Sequence, residues 1–470
     1  MSRSRAVLWP IALSFILAML VTSVSAAWAE TAPGVGWEKT YNINGSDTGW
    51  SMCQTSDGGY IMVGTASGQV CLAKVDSGGS MLWNDTYGMG QSSDGYSVAL
   101  TGDGGYIVTG SVTTGSSCQV LLMKVDQNGT QLWNKTYGDT GSADTSCGGY
   151  SVRQASDGGY IIAAQYPDSM TNHEGLFLIR TDASGNIQSQ VMVGNDGDIT
   201  SPTVEQTSDG GYIIAATIHI LVNSPGYDIY LIKLDSSGNT QWEKNIGSGS
   251  QYCGNDGSVL QASDGGYLVA GESGGAYLVK TDSSGNVLWS EQYNNSSGAN
   301  SVREASDGGY ILAGSYSGLP LVIKVDSSGV ETWRESGSSP GVARVAVQTA
   351  DGGYAAFGTS NGEFYLLKLS PPASSGTDMS EIGNSNGLFS GFGNMFNFTS
   401  PTFGGSQGSS TQSNDLGTLF GGSLFSMPST GVMNTGTDMG YTNPSSSDGI
   451  SLNNNFFSVS PFNFDAWPFG

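Results

Sequence analysis

The chain is short of the residues from which most catalytic and metal centres are built. It has two His and five Cys in 470 residues. Cys53, Cys71, Cys118, Cys147 and Cys253 are odd in number and scattered, which describes neither a disulfide framework nor a zinc site. Cys53 and Cys71 fall within one repeat, so a single bridge between them is the pairing considered. Positive charge is equally scarce: 16 Lys and Arg stand against 40 Asp and Glu, a net charge of -24. That argues against nucleic-acid binding, which needs basic surface to neutralise phosphate. It fits a soluble, acidic surface that also suits high salt or divalent cations. No Gly-Lys-Ser/Thr phosphate loop and no Gly-x-Ser-x-Gly elbow occurs.

Long apolar runs are missing too, except at the start. Arg3 and Arg5 precede an apolar core over Ile11 to Val21, and Ala27-Trp28-Ala29 forms a small-x-small cleavage site. Residues 1–29 therefore read as a secretory signal, and the expected location is secreted or at the cell surface. Asn-x-Ser/Thr triplets at Asn84, Asn128, Asn134 and Asn294 are what so Asn- and Ser-rich a chain carries by chance.

What the chain has in abundance is repetition. Asp-Gly-Gly-Tyr recurs with its Asp at Asp57, Asp103, Asp157, Asp209, Asp264, Asp307 and Asp351, spaced 43 to 55 residues apart. A period of this size marks repeated supersecondary units. Within each, an alternating run such as Ser151 to Ala155 precedes the turn and an apolar run such as Tyr160 to Ala164 follows it. Two β-like runs joined by Asp-Gly-Gly read as a hairpin. A variable connection leads to a third run, as in Asp228 to Leu234. A second turn, Asp235-Ser236-Ser237-Gly238, leads to a fourth, Asn239 to Lys244. Four strands per unit make a propeller blade. The expected fold is all-β, a seven-bladed β-propeller over residues 37–370.

The ends of the repeat region complement each other. Trp37-Glu38-Lys39-Thr40-Tyr41 matches the fourth strands at Trp83 and Trp133 but has no three strands before it. The seventh unit stops at Ser370-Pro371-Pro372 without a fourth strand. The first strand is thus expected to complete the last blade and close the ring, leaving no open array edges. The fourth-strand Trp residues, Trp37, Trp83, Trp133, Trp242, Trp289 and Trp333, are expected to fill the wedges between blades. Blade three has Gln188-Ser189-Gln190 there and no Trp. Residues 371–470 form a tail without Lys or Arg, rich in Ser, Gly, Asn and Met, that holds most of the 16 Phe. No helical or strand period persists in it, so disorder is expected.

The run Val125-Asp126-Gln127-Asn128-Gly129-Thr130-Gln131-Leu132-Trp133 resembles the tryptophan-docking repeat of quinoprotein-like propellers, with the Asp-to-Gly gap one residue shorter. The whole unit is similar to the Asp-Gly-Gly-Tyr repeats of exported prokaryotic surface propellers. The quinone-dependent enzymes of that superfamily are eight-bladed, and their cofactor comes with calcium, acidic ligands and a vicinal Cys pair. Here seven units and no adjacent Cys imply a non-catalytic member, so no cofactor is assigned, calcium being the one the acids admit.

On a propeller the first-to-second and third-to-fourth turns share one face, and the remaining connections share the other. The turn Asp residues read as turn formers. On the variable face two connections are long. Gln165 to Gly175 holds Tyr166, Asp168, His173 and Glu174, and Thr217 to Tyr227 holds His219. Long loops on a rigid scaffold carry binding, so these five residues are the candidate ligand site. Asp196, Asp198 and Asp256, in Asn-Asp-Gly loops between blades, are the candidate calcium ligands, although no closing Glu completes a calcium loop. The expected function is a binding scaffold for a protein or glycan. Two alternatives stand beside it. One is an enzyme, a quinone-like oxidoreductase or a polysaccharide hydrolase or lyase, with its site at the propeller axis. The other is a structural cell-surface component assembled through the tail.

Overall fold

The computed structural model describes residues 31–372, except 139–146, 169–172, 194–197, 221–225, 248–250 and 255–256. The leader and the tail fall outside the described residues. Every regular element in the described part is a β-strand, and the strands form seven antiparallel sheets. Blade one runs outward through Asp47–Gln54, Tyr60–Ala66, Gln69–Val75 and Met81–Tyr87. Blades two, three, four and six repeat that order, from Ser92–Leu100 to Gln131–Tyr137, Gly148–Gln154 to Ile187–Val193, Asp198–Gln206 to Thr240–Ile246, and Ala299–Glu304 to Glu331–Ser336. In blade five the innermost strand is broken into Tyr252–Cys253 and Val259–Gln261, which both pair with Tyr267–Glu272.

Blade seven closes the ring as the complementary ends imply. Gly341–Gln348, Tyr354–Ser360 and Glu363–Leu369 are completed by Val35–Tyr41, which pairs antiparallel with Glu363–Leu369. The core is divided accordingly. Seven clusters of buried side chains each join two neighbouring blades, for example Ile61, Val63 and Leu72 with Val98, Val108 and Met123. No single centre holds the fold, so each blade depends on both neighbours.

The structure gives each letter of Asp-Gly-Gly-Tyr a separate task. The first Gly turns the chain at positive φ, from 79° at Gly210 to 85° at Gly158, where a side chain would be strained. The second has ordinary φ but no room. A Cβ on Gly309 would lie 2.3 Å from both the Val325 carbonyl and the Lys324 ammonium. The Asp Oδ1 accepts the second Gly's N–H, 2.8 Å from Asp307 to Gly309. The Tyr ring packs on the preceding blade's Trp, with centroids 5.0 Å apart for Trp333 and Tyr354 and 6.3 Å for Trp83 and Tyr106.

Each turn Asp also carries an ion pair that the turn reading left out. Asp57, Asp103, Asp157, Asp209, Asp264, Asp307 and Asp351 pair with Lys74, Lys124, Arg180, Lys233, Lys280, Lys324 and Lys368 at 2.6 to 3.3 Å. These cations come from the third strand of the same blade. The six Lys are buried, Lys324 at 1% exposure, while their carboxylates stay near the surface. A buried ammonium needs a counter-ion, and the turn supplies it.

The fourth-strand Trp lies against the next blade's outer turn. A Cβ on Gly79 would sit 2.7 Å from the Trp37 ring, and one on Gly285 2.7 Å from Trp242. Tyr residues four places on complete the dock: Tyr87 and Tyr137 donate their hydroxyls to the carbonyls of Gly129 and Gly185 at 2.7 Å. Blade three substitutes differently. Ser189 pairs opposite Arg180, where the other blades pair Trp with Lys. Arg180 instead reaches the next blade, donating to the Ser236 carbonyl at 2.9 Å and lying 5.8 Å from the Tyr212 ring. One Arg thus takes both the cation's place and the ring's.

Candidate functional site

Two of the sequence expectations change form. The bridge is Cys118–Cys147, with Cα atoms 5.9 Å apart, while Cys53 and Cys71 are not joined by a disulfide. It ties the third strand of blade two to the entry of blade three, a contact between residues 29 apart that spacing alone could not nominate. The long connections of blades three and four are largely strand. Tyr160–Asp168 and His173–Thr181 pair to their ends, Asp168 opposite His173, and Tyr212–Ile220 pairs with Gly226–Leu234. They are hairpins rather than loops, and in blade four Thr217, Ile218, Ile220, Tyr227 and Ile229 supply the β-branched and aromatic residues that favour strand.

Within them the expected ligand residues part company. Tyr166 is 5% exposed and packs edge-on against Phe177, with centroids 5.0 Å apart. Burial raises its hydroxyl pKa. It is a packing residue of blade three. Asp168, His173 and Glu174 keep their strand positions, with Glu174 paired opposite Pro167. His219 is half-buried and stacks on Tyr227 at 4.5 Å, and Tyr227 stacks in turn on Tyr252 at 4.8 Å. Three rings therefore bridge blades four and five on the variable face, with Tyr227 36% and Tyr252 41% exposed. Of the candidate calcium ligands, Asp196 and Asp256 lie outside the described residues, and Asp198 stands opposite His219 in the ladder. Among the described residues no three His, Cys, Asp or Glu side chains converge as a metal cluster.

The opposite face is occupied with its own turns. Besides the Asp–Lys pairs, the last residue of an innermost strand caps the preceding blade's turn. Gln206 Oε1 accepts from Ser156 N at 3.0 Å, Gln261 from Ser208 at 2.8 Å, and Gln54 from Ala350 at 3.0 Å across the closure. An open cleft of about 500 Å³ lies where the innermost strands of blades four to six end, lined by Glu205, Gln206, Leu260, Gln261, Arg303 and Glu304. Its charges are engaged: Glu205 pairs with Arg153 at 2.8 Å and Arg303 donates to the Gly257 carbonyl at 2.8 Å.

Sequence reasoning missed a third cluster. Each unbroken innermost strand has a register shift at the same point, between Gly49 and Ser51, Gly95 and Ser97, Gly149 and Ser151, Thr200 and Thr203, Ala299 and Ser301, and Ala343 and Val345. Such a bulge squeezes one side chain out of the ladder. In four consecutive blades around the ring the extra residue is Arg344, Trp50, Tyr96 and Tyr150, and these touch in series. Arg344 lies 3.8 Å over the Trp50 ring, Trp50 meets Tyr96 edge-on at 5.5 Å, and Tyr96 stacks on Tyr150 at 5.1 Å. Burial, then the nearby Asp94, pushes the Tyr96 hydroxyl up to about 12. A signal was present: the extruded residue is framed as Gly-x-Ser in three successive repeats, with x aromatic each time.

The model of one family, described as "Outer membrane protein assembly factor BamB", matches residues 118–371, more than half of the chain. The chain belongs to the BamB family. The matched region begins in blade two and ends where the seventh blade's third strand ends, so it spans most of the ring. No curated protein matches the chain. Among solved structures, a Bacteroides caccae protein of unknown function is 14% identical, with 59% of this chain and 94% of that one covered at a TM-score of 0.40. YCF48 bound to D1 peptide is 11% identical, covering 72% and 99% at 0.43. U3-55K is 9% identical, covering 72% and 100% at 0.49. This BamB-family ring is a propeller scaffold.

Proposed function

We propose that this propeller is an exported binding scaffold that recognises a protein or glycan through the face carrying the second-to-third hairpins. The observation that carries this reading is the division of labour between the faces. The turn face spends its Asp and Lys side chains on ion pairs within each blade and its Gln side chains on caps between blades. The opposite face presents the His219, Tyr227 and Tyr252 stack, bridging two blades with half-exposed rings. Exposed aromatics on a rigid frame supply contact area at little entropic cost, for a sugar face or an apolar protein side chain alike. The leader-like residues 1–29 and the Cys118–Cys147 bridge support export, because such bridges persist in oxidising compartments.

The test is a glycan array and a surface-protein array probed with the full chain and with Tyr227→Ala/Tyr252→Ala. A ligand bound by the wild type and weakened about tenfold or more by the double variant supports the reading. A ligand insensitive to that variant but lost on Gln206→Ala/Gln261→Ala, at unchanged melting temperature, moves recognition to the turn face and overturns it.

A further inference from the structure

The bulge arc contains a cation that no carboxylate neutralises among the described residues. Arg344 makes no ion pair among the described residues, and its buried Nε has no hydrogen-bond partner. The other third-strand and inner-strand cations have acceptors: the six buried Lys and Arg180 pair with turn Asp, Arg153 pairs with Glu205, and Arg303 donates to the Gly257 and Val302 carbonyls. No Asp or Glu among the described residues pairs with this guanidinium, in a chain that has 40 of them. Its contact with Trp50 offsets part of the desolvation but satisfies none of its donors. Burial lowers its pKa to about 10, so it remains charged at neutral pH. An unmatched, half-buried guanidinium with a free donor beside a ring is the arrangement that an anion completes.

The rest of the arc narrows the anion's chemistry. Trp50, Tyr96 and Tyr150 are all half-buried, and they continue from Arg344 along one side of the innermost ring of strands. Blade six presents Asn300 at the same bulge, held by donation to the Ala343 carbonyl at 2.8 Å, next to Arg344. Asp94, which accepts from Thr65 at 2.8 Å and Ser111 at 3.3 Å, adds an acceptor near Tyr96. A bare inorganic anion would use the guanidinium alone and gain nothing from three rings. A sugar ring has a flat C–H face for aromatic contact and hydroxyls for Asn300 and Asp94, and an acidic sugar adds a planar carboxylate that matches the guanidinium fork.

We propose that the inner-strand bulge arc Arg344, Trp50, Tyr96 and Tyr150 is a binding site for a uronate sugar, with its carboxylate on Arg344 and its ring along the aromatic side chains. The site is separate from the hairpin face proposed above, and neither depends on the other. Long-range repulsion from the net charge of -24 keeps anions without such contacts away.

The experiment is calorimetric titration of the full chain with trigalacturonate, with its neutral methyl ester, and with sodium phosphate. Trigalacturonate is expected to bind, and the ester to bind at least roughly tenfold more weakly, as losing a charged hydrogen bond predicts. Arg344→Gln should weaken trigalacturonate by roughly ten- to hundredfold while leaving the ester unchanged. Arg344→Lys, which keeps the charge without the fork, should fall between. Thermal melts of the variants separate a lost site from a lost fold, and Tyr150→Ala should weaken both sugars together. Tyr227→Ala/Tyr252→Ala should leave trigalacturonate binding intact. No binding of trigalacturonate at millimolar concentration would overturn the proposal. So would equal affinity for the ester, full retention in a folded Arg344→Gln, or phosphate competing as well as the sugar.

Discussion

The Asp–Lys pair of blade six makes a sharp prediction, because its two members are buried to different degrees. Lys324 is 1% exposed and Asp307 is 49% exposed. Asp307→Ala strands a buried ammonium whose remaining partner is the Val325 carbonyl at 3.1 Å, and it also removes the acceptor for Gly309 N–H. Losing one partner of a fully buried pair costs roughly 3–5 kcal/mol. With a half-exposed carboxylate, water takes over part of the role, so about 2–3 kcal/mol is expected, plus about 1 kcal/mol for the turn bond. Lys324→Met leaves a carboxylate already near water and fills the slot with an apolar stem, at a cost of about 0–1 kcal/mol. Asp307→Ala/Lys324→Met should then recover most of what Asp307→Ala loses. Urea unfolding followed by tryptophan fluorescence reads all three, with midpoints compared at equal slope. If Lys324→Met destabilised as much as Asp307→Ala, or if the double variant were worse than either, the Asp would not be serving a buried charge.

Three further outcomes follow from the same contacts. Asp57 and Asp103 are lowered to about 2, by the Thr55 and Thr101 hydroxyls first and then, against burial, by Lys74 and Lys124. Asp209 is lowered to about 2 by Lys233 and then Thr207. Folded pKa values below the ordinary carboxylate value of about 3.9 mean stability that is complete above about pH 4 and lost as pH falls towards about 2. The melting temperature should therefore hold from pH 7 to about 4.5 and drop below about 4, and a main loss between pH 7 and 5 would contradict this. Removing residues 31–41 deletes blade seven's outermost strand and leaves Glu363–Leu369 as an open edge. Light scattering should show self-association and the melt should broaden, whereas an unchanged monomeric transition would mean the closure is dispensable. In blade three, Arg180→Lys and Ser189→Trp should each destabilise by about 1–3 kcal/mol, while the double variant, which restores the other blades' pairing, should return to within about 1 kcal/mol of wild type. Additive losses would show that Arg180 does not replace the missing Trp.

Much of the ring was legible because it is written in local chemistry. Asp-Gly-Gly-Tyr specifies a turn through positive φ and a self-accepting carboxylate, and Trp37 without a blade of its own identified the closing strand. The cation before each third-strand end, as in Lys124-Val125-Asp126, was equally regular. It passed unread because its partner Asp103 lies across the blade, and sequence order does not reveal which charges meet. The long hairpin of blade three looked like a loop because Pro167 and Gly175 interrupt the pattern, yet the ladder continues through them.

The candidate sites divide differently. Tyr166 and His219 seemed alike in sequence, each on a lengthened connection of an adjacent blade. Only packing separated them, turning Tyr166 inward against Phe177 and setting His219 in a stack with Tyr227 and Tyr252. Arg344, Trp50, Tyr96 and Tyr150 are scattered over almost the whole ring in sequence, and blade seven meets blade one only after closure. The sequence by itself determined the repeat, the turns, the seven blades and the strand that joins the ends, because those rest on backbone geometry and side chains a few residues apart. Tertiary structure decided which cysteines bridge, which aromatics are buried and which cation finds no counter-ion among the described residues. Those depend on the ring bringing distant innermost strands to one axis, where a one-residue bulge changes what a side chain meets.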